Sequence, residues 1–185
     1  KVAIRDLIYV ANHGLEIDLP GRPIWVHPQA KRTRSLIQRL AGRLAADLKE
    51  YPGVQIENKG LTISVHYRRL PRYLSPRPIH EQIVQLTAAQ GDKVRLTAGK
   101  KVWEIRPQLQ WNKGYAIRRL ETWLRYGWVP VLVGDDQTDE EGFRSLAPDA
   151  LTMRIGYVKG SAARFRLKNQ KQVKTLLEYF VRELR

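Results

Sequence analysis

W-V-P-V-L-V-G-D-D-Q-T-D-E-E-G-F, residues Trp128 to Phe143, is the stretch whose reading decides the fold. Val129 to Val133 is an unbroken apolar run, the pattern of a strand buried on both faces of a parallel sheet. Gly134 stops it, and Asp135 and Asp136 follow at once. Thr138 and Glu141 stand at capping-box spacing, which predicts a helix from Asp139. In an open α/β sheet, ligands gather at the carboxyl ends of strands. The carboxylates of Asp135 and Asp139 bracket this turn. They suit a hard divalent ion, Mg2+ above all, held by one or two carboxylates while phosphate and water complete the octahedron. Read from these residues alone, a solvated acidic loop whose Asp139, Glu140 and Glu141 favour a helix N-terminus stays open beside the metal.

The remaining composition narrows the class. A chain of 185 residues is long enough for one or two domains with a real core. It has no cysteine, so disulfides, thiolate metal sites and a cysteine nucleophile are excluded. That fits a reducing compartment, and a cytoplasmic protein is expected. No apolar run reaches membrane-spanning length, and the N-terminal K-V-A-I-R-D-L does not read as a signal peptide. The net charge of +15 attracts polyanions in general. Its basic residues are scattered, however, with Arg32, Arg34, Arg39 and Arg43 on one helix and Lys168, Lys171 and Lys174 near another. Without a nucleic-acid motif or a Gly-rich P-loop, a solvated basic surface is the better reading than a nucleic-acid site.

Around the acidic stretch the pattern changes. Leu7 to Ala11 reads as a strand entering the turn-like Asn12-His13-Gly14, and Leu15-Glu16-Ile17 resumes an extended pattern. After the Pro/Gly-rich segment Leu19 to Pro28, the positions Leu36, Ile37, Leu40, Ala41, Leu44, Ala45 and Leu48 recur at helical spacing. Val54 to Asn58 and Leu61 to Arg68 form a hairpin across Asn58-Lys59-Gly60. Alternation puts Leu61, Ile63, Val65 and Tyr67 on one face and Thr62, Ser64, His66 and Arg68 on the other. The unit then repeats, with a helix over Pro78 to Ala89 and a hairpin of Lys93 to Thr97 with Lys101 to Arg106, on which Glu104 and Arg106 share a face. Residues 32 to 107 therefore predict an antiparallel sheet backed by two helices, an α+β unit inserted beside a parallel α/β core.

Asn112 is a good N-cap for a helix from Lys113 to Tyr126. Lys113 is oddly placed, because a cation in the first helical turn meets the positive end of the macrodipole, a cost of a few tenths to about 1 kcal/mol. An anion bound there would reconcile the conflict, and an exposed lysine reaching for water is the alternative. Leu151 to Ile155 is a further strand, and Ser161 to Leu167 has only weak periodicity. A final amphipathic helix carries Val173, Leu176, Leu177, Phe180, Val181 and Leu184.

Five blocks now stand together: N-H-G-L-E-I at Asn12 to Ile17, E-N-K-G-L-T-I-S-V-H-Y-R at Glu57 to Arg68, K-V-W-E-I-R-P at Lys101 to Pro107, W-N-K-G at Trp111 to Gly114, and G-D-D-Q-T-D-E at Gly134 to Glu140. In this order and spacing the chain resembles the trehalose-6-phosphate phosphatases, haloacid dehalogenase superfamily members with a C2-type cap. The resemblance implies a partial Rossmann-like α/β core with an inserted α+β cap. Residues 1–17 would be the entry strand and substrate loop, 18–107 the cap, and 108–185 the C-terminal part of the core.

The family's nucleophilic and acid/base aspartates lie in a D-x-D-G-T motif, yet no Asp-x-Asp occurs in this sequence. The resemblance therefore implies the C-terminal part of such an enzyme, with the N-terminal core segment as its missing partner. Alone, such a chain is expected to leave the Val129 to Val133 strand uncovered. Lys113 resembles the family's lysine that pairs with the nucleophile and the transferring phosphoryl oxygens. Asp135 resembles the Mg2+ ligand, and Asp139 supports the metal shell directly or through water. Asn12, His13, Gly14, Glu57, His66, Arg68, Glu104 and Arg106 are the candidates for holding the sugar phosphate. Another sugar-phosphate phosphatase of the superfamily, acting for example on sucrose phosphate, remains an alternative, as does a non-catalytic polyanion-binding module.

Overall fold

The structure is a computed structural model that describes residue 4 and residues 6–124 and 127–183. The chain divides into two compact units, Lys1–Gln110 and Trp111–Arg185. No helix among the described residues is long and apolar enough to cross a membrane.

The first unit begins with an antiparallel meander of β1 (Tyr9–Ala11), β2 (Glu16–Asp18) and β3 (Trp25–Val26). The third strand lies inside the Pro/Gly-rich segment Leu19 to Pro28, which carried no strand signal. Only two residues long, it is too short for a periodic signal, and its pairing with β2 defines it. Between β1 and β2, Asn12 and His13 adopt left-handed backbone angles, φ +49° and +58°, before Gly14 at +92°. Such angles are uncommon outside glycine, though Asn and His tolerate them better than most.

Pro28 opens α1 (Pro28–Asp47), where its missing N–H leaves no orphan. There follow β4 (Gln55–Asn58), β5 (Ile63–His66), α2 (Arg77–Ala88), β6 (Val94–Gly99) and β7 (Val102–Pro107). The sheet is antiparallel in the order β4-β5-β7-β6. Ile37, Leu40, Ala41 and Leu44 from the first helix, Leu48 at its C-cap, and Ile79 and Ile83 from the second helix pack on Ile63, Val65, Val94, Trp103 and Ile105 of the sheet. Burying each large aliphatic side chain stabilises the unit by roughly 1.5–3 kcal/mol. Thr62 and Ser64, placed by alternation on the face opposite the apolar one, are fully buried as well. One reading is corrected here: Arg68 lies beyond the end of β5, exposed, and donates to the Lys100 carbonyl at 3.4 Å.

The second unit holds α3 (Lys113–Leu124), β8 (Val131–Gly134), α4 (Gln137–Leu146), β9 (Leu151–Ile155), β10 (Phe165–Leu167) and α5 (Lys171–Glu183). Its three strands are parallel in the order β10-β9-β8. The helix ends read at Tyr126 and Leu184 lie outside the described residues. The apolar run Val129 to Val133, patterned for burial on both faces, is uncovered in this chain, as expected of it alone. β8 starts at Val131, which is 39% exposed, and Val129 before it is 65% exposed. β8 is an edge strand, paired through β9 alone among the described residues. In α5 Leu177 and Val181 are likewise exposed, and no residue of that helix is buried.

Candidate active site

Chemistry-bearing side chains gather at the carboxyl end of β8. The helix that follows starts two residues earlier than the sequence reading. Asp136 is its N-cap, accepting from the Asp139 amide at 2.9 Å, and the capping box is Asp136 with Asp139, not Thr138 with Glu141. Thr138 instead donates its hydroxyl to Asp136 Oδ1 at 2.7 Å. The cap moved because Asp136 already supplies an acceptor at the right spacing, and aspartate caps at least as well as threonine.

Asp139 is buried, at 4% exposure, and its carboxylate is fully engaged. One oxygen receives the Asp135 and Asp136 amides at 2.9 and 3.0 Å, and the other receives Lys113 Nζ at 2.6 Å. Gly134 makes room for it, since a Cβ there would fall inside the Asp139 carboxyl group. Lys113 is held from its own side as well. Asn112 caps α3 by accepting from the Gly114 and Tyr115 amides at 2.9 and 3.2 Å, and Ser145 of α4 donates to the same Asn112 oxygen at 3.0 Å. Gly114 lets the two helices approach, because a Cβ there would strike the Ser145 hydroxyl. Lys113 Nζ also lies 3.6 Å from Asp136 Oδ2. Burial raises the Asp136 carboxyl, but Thr138, Lys113 and Asp139 outweigh it and hold the group below its ordinary value.

Asp135 stands apart. Its residue is exposed, and its carboxylate takes no hydrogen bond or ion pair among the described residues. No group of three or more His, Asp or Glu side chains among them could hold a metal ion. Mg2+ accepts one carboxylate completed by water and phosphate oxygens, so the donor set fits through Asp135. Asp139, whose oxygens already receive Lys113 and two amides, would reach such an ion through water rather than directly. Buried Arg154 donates to the carbonyls of Asp135 and Asp136 from 19 and 18 residues downstream, a placement that no local pattern announced.

A second constellation lies wholly within the first unit. His13 Nε2 is 2.9 Å from Glu104 Oε2, and Ser64 donates to Glu104 Oε1 at 3.1 Å. Lys59 Nζ sits 3.6 Å from Glu104 and 3.7 Å from Glu57, and Glu57 meets His66 Nε2 at 3.0 Å. Asn12 donates to Glu16 at 2.6 Å and to the Lys59 carbonyl at 3.2 Å, and accepts from Thr62 at 2.9 Å. Burial alone would raise Glu104, but His13, Lys59 and Ser64 bring it down to about 2. His66 likewise holds Glu57 below the usual carboxylate range. His13 Nδ1 is buried with no hydrogen-bond partner among the described residues.

The fold thus brings together Asn12, His13, Glu57, His66 and Glu104, with Gly14 buried beside them in sequence. Arg68 lies outside this chain of contacts. Arg106 is buried on β7, in register with Arg95. Lys59 bridges the two glutamates and was not singled out by sequence, although it stands in the quoted E-N-K-G block.

The fold is of the haloacid dehalogenase type. It matches a crystal structure of a trehalose-6-phosphate phosphatase related protein with a TM-score of 0.75 at 24% identity, covering 91% of this chain and 69% of that one. The C-terminal domain of the Candida albicans trehalose-6-phosphate phosphatase matches at 0.71 and 23% identity, covering 94% and 70%. The family model described as trehalose-phosphatase matches residues 1–183, and the chain belongs to that family. Trehalose-phosphate phosphatase B of Arabidopsis thaliana is 30% identical, over 97% of this chain and 52% of the relative. Trehalose-phosphate phosphatase of Mycobacterium marinum is 28% identical, over 94% and 46%. The chain spans about half the length of the curated relatives it matches.

Proposed function

We propose that the chain serves a trehalose-6-phosphate phosphatase, which hydrolyses trehalose 6-phosphate to trehalose and phosphate in the cytoplasm. One observation carries the reading: Lys113 is ion-paired to Asp139 at 2.6 Å at the end of a parallel strand, beside the open carboxylate of Asp135. Phosphoryl transfer rests mostly on positioning and on neutralising charge. Asp139 holds the Lys113 ammonium where it can meet phosphoryl oxygens, and Asp135 offers the open carboxylate for Mg2+. When bound, Mg2+ supplies further neutralisation of phosphoryl charge. The attacking aspartate and the acid/base aspartate come from an N-terminal core segment outside these 185 residues, because no Asp-x-Asp occurs among them. Residues 108–185 contribute the C-terminal part of the core, and residues 18–107 act as the cap, entered through residues 1–17.

Asn12 and His13 of the entry loop, with Glu57, Lys59, His66 and Glu104 of the cap, form a fixed array of donors and acceptors suited to sugar hydroxyls, and Arg68 and Arg106 supply cations for an anionic substrate. Glu104, ionised and pinned, is a strong acceptor for a hydroxyl donor. The natural gene product carrying this chain should release phosphate from trehalose 6-phosphate in preference to sucrose 6-phosphate, with Mg2+ required and K113A inactive. Equal turnover of both sugars would sink the substrate assignment. Full activity of K113A would sink the mechanism.

A further inference from the structure

Resting on the phosphatase reading above, we infer that Arg154 is a positioning residue that fixes the backbone from which Asp135 projects. The ladder of β8 ends at Gly134, whose register partner on β9 is Arg154. The next two carbonyls, of Asp135 and Asp136, have passed the end of the sheet and need donors from elsewhere. Arg154 supplies both, with Nη2 on the Asp135 oxygen and Nη1 on the Asp136 oxygen, each at 2.7 Å. A planar fork meets two neighbouring acceptors at once, which an ammonium does not.

The guanidinium is itself held. Arg154 is 9% exposed and Glu140 6%, and Nη1 lies 3.2 Å from Glu140 Oε1. Glu140 is anchored in turn by the Ser161 hydroxyl at 2.7 Å and the Ala162 amide at 2.8 Å. On the other side of the turn the amides of Asp135 and Asp136 both donate to Asp139. The peptide between Asp135 and Asp136 is therefore held at both its N–H and its C=O, and the peptides on either side at one group each, between a buried carboxylate and a buried cation. The Asp135 side chain leaves from a backbone held on both sides, and nothing else among the described residues orients its carboxylate. Arg154 acts through this backbone and touches neither substrate nor reacting atoms.

The test uses the natural gene product carrying this chain, with R154M and R154K. Hydrogen exchange of the Asp135 and Asp136 amides is followed without metal or substrate, Mg2+ binding is followed by calorimetry, and KM and kcat are measured separately. In R154M the two amides lose protection, Mg2+ binds about 10- to 100-fold more weakly, and kcat falls while KM for the sugar phosphate stays unchanged. R154K, with one ammonium for two carbonyls, recovers part of each loss. An R154M protein that keeps wild-type amide protection and Mg2+ affinity while only melting earlier overturns the inference. If R154M does not fold, R154K decides in its place, and wild-type Mg2+ affinity and amide protection there overturn it equally. A wild-type protein that neither binds Mg2+ nor releases phosphate removes the phosphatase reading instead, and the metal-free exchange comparison still decides for or against Arg154.

Discussion

Lys113 Nζ lies 2.6 Å from Asp139 Oδ1, joining the first turn of α3 to the first turn of α4. Each helix start carries partial positive charge, which favours the aspartate and opposes the lysine. Pairing them across the two helices offsets the conflict at Lys113. Asp139 serves two further donors, so the members of the pair are not equivalent.

Removing Asp139 leaves the Asp135 and Asp136 amides and the ammonium without their shared acceptor. D139A should therefore destabilise the second unit by about 2–4 kcal/mol, whereas K113M should cost no more than about 1–2 kcal/mol. Urea denaturation of both variants tests the order. Equal losses would show that the amide contacts contribute nothing.

Gly134 should not tolerate a side chain. A Cβ there would overlap the Asp139 carboxyl group, which cannot withdraw without releasing Lys113 and two amides. G134A should destabilise by about 2–3 kcal/mol, in the range of overpacked cores, and should expose the Asp135 and Asp136 amides to solvent exchange. Wild-type melting of G134A would show that the turn has room to move.

Glu104 predicts an acid dependence. Its carboxyl is held at about 2 against an ordinary 4.5, so the folded state favours the ionised form. The resulting stability is fully present above the unfolded value and is lost as pH falls from there through the folded one. Its size is on the order of 3 kcal/mol. The stability gap between wild type and E104Q should shrink steadily as pH falls from about 4.5 to about 2. A gap independent of pH would mean that the His13 and Lys59 contacts do not favour the charged form.

Asn12 holds a left-handed turn together through three side-chain hydrogen bonds, to Glu16, the Lys59 carbonyl and Thr62. N12A loses all three and keeps an angle that alanine resists, a combined cost of about 2–4 kcal/mol. N12G keeps the backbone freedom and should recover about 1 kcal/mol of that. Thermal unfolding of the pair separates the two contributions, and identical midpoints would assign the whole effect to the lost bonds.

Much of this protein was legible in the sequence because its signals are local. The hairpins, the apolar stripes of α1 and α2, the Asn112 cap and the strand-turn-helix at Gly134 are set by contacts within a few residues, which spacing reports directly. The capping box was misplaced by two residues because Asp136 and Thr138 both qualify on spacing, and only the folded turn shows which oxygen meets an amide.

What the tertiary structure alone decided is which like residues do different work. Asp135 and Asp139 are the same side chain four positions apart, and the sequence offered both to a metal. Folding brings Lys113 from 26 residues upstream onto Asp139 and leaves Asp135 open. Thr62 and Ser64 alternate like a wet face, yet they are buried under Asn12 and Glu104, which lie 50 and 40 residues away in the chain. Arg154 and Lys59 are two among 33 basic residues until the sheet ends and the hairpin turn set them against particular oxygens. Periodicity reports the face a residue takes. Which partner waits there is fixed by loop closure and packing between elements distant in sequence, and that information exists only once the chain has folded.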